Sequence, residues 1–246
     1  MLEGLRTAAA GMQAQQQKLD AVANDLANAN TNGYKRLRVG FSDLLYEQGG
    51  RPTTTAEAQF GTGARALSLG RTFQQGALRE TGRTLDVAIQ GEGFLRVRLA
   101  DGRQALTRDG NLQIDGSGRL VTPYGGVVEP TIRVPEGTNE SDITIGRDGT
   151  VSANGRPLGR IAIVNVRSPQ GLESAGDNAY VTTGRSGNAV AAPATTVLTQ
   201  GALEASNTDM AQAMTEMIEA QRTYQLTSKA IQTADTMMEI ANGVKR

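Results

Sequence analysis

The chain has 246 residues with 25 Lys and Arg against 25 Asp and Glu, so its formal net charge is zero, and it holds no His, Cys or Trp. That length suffices for one large domain or two small ones with a buried core. The charge balance excludes the basic surplus that broad nucleic-acid or anionic-membrane binding draws on, and the missing residue types exclude disulfides, thiolate nucleophiles, Cys-based zinc sites and imidazole chemistry.

The chain opens on Met1-Leu2-Glu3-Gly4-Leu5-Arg6, which lacks the basic segment and unbroken apolar core of a secretory signal. No stretch reaches the ~20 apolar residues of a membrane span. Residues 3–29 hold no Pro, only Gly4 and Gly11 as glycines, and much Ala, Gln, Leu and Asn. This composition predicts a helix roughly 40 Å long. Leu5, Met12, Leu19 and Leu26 recur every seven residues, with Ala8, Gln15 and Val22 at the offset position. Asn28-Ala29-Asn30-Thr31-Asn32-Gly33 then stops the helix, since Asn and Gly tolerate a left-handed backbone.

Residues 47–64 form a polar stretch rich in Gly, Thr, Gln and Ala, to which no regular structure is assigned. Gly61-Thr62-Gly63-Ala64-Arg65-Ala66 loosely matches a dinucleotide fingerprint, but that motif must follow a strand and open a helix, and a polar linker precedes it here.

From about 65 to 200 short β-like runs alternate with Gly turns. Leu85-Asp86-Val87-Ala88-Ile89 and Phe94-Leu95-Arg96-Val97-Arg98-Leu99 alternate, and Ile161-Ala162-Ile163-Val164-Asn165-Val166 predicts a more buried strand. Asp101-Gly102, Asp109-Gly110, Asp115-Gly116, Asp148-Gly149 and Asn154-Gly155 predict hairpin turns, and Gly91-Glu92-Gly93 a tight bend. Arg108-Asp109-Gly110 echoes Arg147-Asp148-Gly149, which suggests a reused hairpin.

Residues 207–242 return to a helical pattern. Met210, Met217, Tyr224, Ile231 and Met238 recur every seven residues, with Met214, Gln221 and Ser228 at the second seam position. Ser206-Asn207-Thr208-Asp209 is a cluster of N-cap residues and Asn242-Gly243 a stop. Two terminal seams with a strict seven-residue step point to coiled-coil packing. Gln15, Gln16, Gln221 and Ser228 make both seams weak, so a two-helix pair gains little alone and neighbouring copies are expected to cover the remaining faces. Five of the seven Met residues lie at 210, 214, 217, 237 and 238, and Met adapts to non-identical contacts.

A His-free enzyme could still work through a carboxylate pair, with Asp86, Glu92, Glu129, Glu136 and Glu173 as candidates. Spacing singles out no two of them, and most Asp residues in the middle sit in Asp-Gly turns. Asp109-Gly110-Asn111-Leu112-Gln113 begins like a calcium loop, yet Ile114 stands at the sixth position and Leu120 at the twelfth. No catalytic, cofactor or metal residue is therefore assigned, and the chain is read as a self-assembling structural subunit and not an enzyme.

Ala23-Asn24-Asp25-Leu26-Ala27-Asn28 with Thr31-Asn32-Gly33-Tyr34-Lys35 resembles the N-terminal signature of the bacterial flagellar axial proteins of rod and hook, with Asp25 where that family usually has Asn. Met217-Ile218-Glu219-Ala220-Gln221-Arg222-Thr223-Tyr224 with Ser228-Lys229-Ala230-Ile231 and Asp235 resembles the family's C-terminal helix. Leu85-Asp86-Val87-Ala88-Ile89-Gln90-Gly91-Glu92-Gly93-Phe94, Thr107-Arg108-Asp109-Gly110, Ile143-Thr144-Ile145-Gly146-Arg147-Asp148-Gly149 and Gly171-Leu172-Glu173 are similar to the distal-rod branch, a proximal-rod paralogue being the alternative. The resemblance implies an α+β fold: a discontinuous terminal helical coiled-coil domain (1–35 with 205–246), an extended connecting segment (36–70) and a β-rich middle domain (71–204). It implies a rod subunit of the flagellar basal body, crossing the periplasm or cell-wall zone and exported by the flagellar apparatus without a cleaved signal. Its expected partners are other copies of itself, proximal rod proteins, the hook protein and any rod-surrounding ring proteins, with no nucleic acid and no cofactor. The expected assembly interface comprises Leu5, Met12, Leu19, Leu26, Asn28, Tyr34, Met210, Met217, Tyr224, Ile231 and Met238. A wall-cleaving enzyme is the rival from another class, and an adhesin-like β domain with helical anchors is a second.

Overall fold

The computed structural model describes residues 2–44, 46–48, 59–61 and 63–243. Most of the polar stretch at 47–64, and Thr62 of the glycine motif, lie outside the described residues. The chain divides into two compact units: residues 1–27, 37–69 and 209–246 make the first, 28–36 and 70–208 the second.

The first unit holds two long helices, α1 (Leu2–Ala27) and α2 (Met210–Gly243), which pack along each other. Neither contains Pro, and Ala-, Gln- and Met-rich runs favour the helical backbone. Of the four predicted cap residues Asp209 alone caps α2: its Oδ1 accepts the backbone N–H of Ala211 at 2.8 Å and of Gln212 at 3.1 Å. Asp209 also lies where the N-terminal partial charge of α2 favours an anion. The stretch between the helices is not structureless. Strand β1 (Leu37–Asp43) pairs with β4 (Ala64–Arg71), and β2 (Tyr46–Gln48) runs antiparallel to β3 (Gln59–Gly61). Asp25, buried on α1, accepts the backbone N–H of Leu37 at 3.1 Å and so ties the helix end to β1. Gly63 has φ of 117°, and a Cβ there would fall 2.9 Å from Cβ of Ala10, so the glycine lets the ladder lie close on α1.

The second unit is β-rich. Its strands are β5 (Leu78–Glu80), β6 (Val87–Gln90), β7 (Phe94–Arg98), β8 (Gln104–Thr107), β9 (Gln113–Ile114), β10 (Leu120–Val121), β11 (Val127–Val128) and β12 (Ile143–Ile145). They continue as β13 (Thr150–Ala153), β14 (Arg156–Arg160), β15 (Ile163–Asn165), β16 (Glu173–Gly176), β17 (Ala179–Val181), β18 (Val190–Ala191), β19 (Val197–Gln200) and β20 (Ala202–Glu204). The main sheet runs β16-β17-β8-β7-β11-β10-β9, with β15 joining β7 to β18. Smaller ladders pair β12-β13-β14, β6-β19 and β5-β20. All described pairings in this unit are antiparallel.

β7 separates two apolar clusters, as a two-period strand must when both faces are covered. Leu95 and Val97 enter the large core with Leu85, Ile89, Leu112 and Leu120, while Phe94 joins Leu106, Val164 and Tyr180 on the other face. The run 85–89 is buried at every position instead of alternating, because neighbours cover both of its faces. The run 161–166 departs in the opposite sense: only Ile163–Asn165 is strand, and burial alternates along it.

Three of the five predicted turns use their Gly or Asn at positive φ: Gly102, Gly149, and the pair Asn154 and Gly155, whose two successive left-handed residues join β13 to β14. At Asp115-Gly116 the left-handed residue is Gly118. Gly110 has no positive φ; a Cβ there would meet the carbonyl oxygen of Val87 at 1.6 Å, so the glycine serves close approach of two backbones. The echoed triplets therefore differ in environment: Arg147 is exposed beside a surface turn, whereas Arg108 is buried.

Candidate assembly surfaces

The face that α1 and α2 share is lined by small residues. Ala14 and Ala21 on α1 and Ala213 and Ala220 on α2 are buried, each pair seven residues apart. Thr227 and Ala234 continue the α2 line half-buried. Ala213 and Ala220, and not Met214 and Gln221, thus fill the second seam position of α2. Met214 is exposed, as is Gln221. Alanines let two backbones approach but bury little apolar area, so the pair is thin for a reason other than polar interruption. Leu5, Met12, Leu19 and Leu26 lie half-buried beside the packed line of α1, as do Met217, Ile231 and Met238 on α2, whereas Met210 and Tyr224 are exposed.

The outward surface of α2 carries several large apolar side chains among its polar and charged ones. Leu226 is 68% and Ile240 64% exposed, Met210, Met214, Ile218 and Met237 stand more than half in solvent, and Tyr224 partly so. Scattered apolar residues are ordinary on a surface; a series along one 34-residue helix is the pattern of a face awaiting a partner.

Asn28 and Tyr34 lie elsewhere, in the second unit. The carbonyl of Asn28 accepts the N–H of Thr31 at 3.1 Å and ends the helical course. Tyr34 is buried, with the Arg71 guanidinium 5.1 Å from its ring centroid, so its surface is already covered within the chain.

Tyr34 belongs to a clasp that sequence spacing does not reveal. Lys35 Nζ donates to Glu204 Oε1 at 2.5 Å and to the carbonyl of Gln74 at 2.7 Å. Glu204 also accepts from Arg108 at 3.1 Å and from the backbone N–H of Gly76 at 2.8 Å, and its own carbonyl accepts from Gly33. Arg71 donates to the carbonyl of Lys35 at 2.6 Å. Asn207, expected among the cap residues, is used here: its Oδ1 accepts from Arg36 N–H at 2.8 Å and its amide donates to the carbonyls of Thr72 and Gln74. Residues 33–36, 71–76 and 204–207 are thereby bound at the points where the chain enters and leaves the second unit. Burial pulls the Lys35 ammonium below its ordinary pKa, against the pull of Glu204 that raises it. Phe73, Phe94 and Tyr180 pack edge-to-face beside the clasp, and burial pushes the Tyr180 phenol up to about 12.

The candidate carboxylates do not converge. Glu92, Glu136 and Glu173 are exposed. Glu129 is buried and accepts from Arg98 Nε at 2.6 Å and from Gln104 at 3.0 Å. Asp86 is buried and accepts from the Thr81 hydroxyl at 2.6 Å. Asp109 is held by the N–H of Asn111, and burial, aided by the charge of Asp86, raises its carboxyl to about 6.

Three family profiles match the chain: "Flagella basal body rod protein" over residues 5–35, "Flagellar hook protein FlgE/F/G D1 domain" over 88–153 and "Flagellar basal body rod FlgEFG protein C-terminal" over 199–244. The first and last cover most of the two helices and the second falls within the β unit. Among curated proteins the chain is similar to the flagellar basal-body rod protein FlgG of Borreliella burgdorferi, 41% identical over 100% of both chains. It is 38% identical to the FlgG of Caulobacter vibrioides over 99% of this chain and 100% of that one. It is 32% identical to the flagellar hook-basal body complex protein FlhP of Bacillus subtilis over 100% of both.

Proposed function

The chain belongs to the flagellar basal-body rod protein family, and from that premise we infer that it is a structural subunit of the distal rod, the shaft that carries motor torque to the hook. Many copies stack helically into a hollow tube, with terminal helices meeting neighbouring terminal helices. The subunit acts mechanically and carries out no catalysis. Its neighbours are further copies of itself, proximal rod proteins, the hook protein and, where present, the rings around the rod. It reaches the envelope through the flagellar export apparatus without a cleaved signal, and Leu5, Met12, Leu19, Leu26, Met210, Met217, Tyr224, Ile231 and Met238 contribute to helix contacts between copies.

The observation that carries this reading is the division of labour on α2. Its buried line is alanine, while several of its large apolar side chains, Leu226 and Ile240 foremost, stand exposed. Burying an exposed Leu or Ile gains on the order of 2 kcal/mol, so a series of them makes association favourable where the lone helix pair is marginal.

Leu226→Asp tests this. The side chain lies outside the intrachain seam, so the monomer should keep its helix content and the stability of its β unit. Sedimentation should show the loss of polymer that the unaltered chain forms. A Leu226→Asp chain that still polymerised at the same protein concentration would remove the outward face of α2 from the assembly.

A further inference from the structure

The second unit contains an open cleft of about 950 Å³, whose lining includes Phe73, Phe94, Arg108, Val166, Arg167 and Asn188. Clefts of this size suit a bound loop or ligand. Val190 stands at its edge, mostly exposed. The floor carries uncompensated positive charge. Arg108 is only 4% exposed; it donates to Glu204 and to the carbonyl of Gly91, and its Nε has no hydrogen-bond partner among the described residues. Lys35 shares the same Glu204, and Arg71 lies over the rings of Tyr34 and Tyr180. Lys35 and Arg108 thus share a single carboxylate, while Arg167, exposed in a lining that also holds Glu92, makes no ion pair among the described residues. A buried cation surplus is costly unless an anion completes it.

The same unit carries an anion in the right form. The loop 136–142 presents Glu136, Glu140 and Asp142, all exposed and without an ion-pair partner among the described residues. Thr84 donates to the carbonyl of Glu140 at 2.8 Å and a 3-10 turn shapes Glu140–Asp142, so the loop is held out in a defined form.

We propose that the cleft receives the acidic 136–142 loop of a second copy of this chain, its carboxylates completing the charge around Arg108 and Arg167. The proposal rests on the reading of the chain as a self-assembling subunit. The two patches share no residue, so the contact is heterologous: each docking leaves one loop and one cleft free, and the series continues instead of closing as a dimer.

The chain has no cysteine, so thiols can be placed cleanly. Full-length Asn188→Cys/Glu140→Cys, oxidised mildly under assembly conditions, should give a ladder of disulfide-linked dimers, trimers and longer species. Asn188→Cys/Ser117→Cys, with its second thiol in a different exposed turn, should give none. Arg167→Glu should slow polymerisation about tenfold, the scale of one lost interfacial charge pair, and Glu136→Lys/Glu140→Lys in the same chain should restore it. Sedimenting polymer without the ladder, or an equal ladder from the control pair, overturns the docking and leaves self-assembly standing. Failure of the unaltered chain to polymerise overturns both.

Discussion

Glu204 satisfies three donors at once, Lys35, Arg108 and the backbone of Gly76, with its side chain fully buried. Replacing it with Gln keeps the shape but leaves two buried cations without a counter-charge. Breaking a buried pair in this way costs about 3–5 kcal/mol. Glu204→Gln should therefore destabilise the β unit more than Lys35→Met, which leaves Arg108 and Glu204 paired; urea unfolding followed by the near-ultraviolet signal of Tyr180 measures both. Asp109 acts in the opposite sense. Its carboxyl titrates near 6 in the folded chain against 3.8 as the ordinary value, so the folded state binds the extra proton between those pH values. Stability contributed by the protonated form is complete below pH ~4 and is lost as pH rises to ~6, by on the order of 3 kcal/mol at most. Asp109→Asn retains the acceptor for Asn111 and removes the charge. The variant should match the parent in melting temperature near pH 4 and exceed it above pH 6. A constant difference across that range would assign the effect to packing.

At the scale of elements, the helix pair depends on side chains too small to register as a seam. The seven-residue recurrence of Leu, Met, Tyr and Ile correctly marked both helices and their length. On α1 the offset residue Val22 is buried as that spacing expects, but on α2 the second seam position lies one residue earlier, with Ala213 and Ala220 at the contact, because large apolar residues dominate any hydrophobic count. Ala220→Leu should overfill that contact and cost about 1–3 kcal/mol, read as an earlier loss of far-ultraviolet helix signal with the β unit unchanged. Turns were readable where Asp or Asn with Gly closes a local hairpin, as at Asn154-Gly155. They were not where a glycine answers a distant backbone, as Gly110 answers Val87. The ladder between β1 and β4 was also hidden, since Leu37–Asp43 and Ala64–Arg71 are separated by a polar stretch that reads as linker. The clasp was invisible for the same physical reason. Lys35 and Glu204 are 169 positions apart, and nothing local distinguishes a buried pair from two surface charges.

Across the whole molecule, each unit is assembled from segments far apart in the chain, and the backbone passes between the units four times. Long-range closure of this kind makes folding slow relative to a local bundle, because the loops must close before their contacts are rewarded. It also means that the helical unit has no continuous stretch of its own beyond α1, the β1–β4 region and α2, and that the exposed face of α2 exists in the subunit before any neighbour covers it. The clasp has a consequence for how the subunit responds to force. A pull applied through either helix arrives at residues 33–36, 71–76 or 204–207, and these three strands of backbone are cross-tied to one another by Lys35, Arg71, Glu204 and Asn207. Tension on one strand is shared at once among the other two, so the bonds yield together and not one after another. The site where a rotating shaft would be expected to tear a subunit open is the site where the load is spread in parallel.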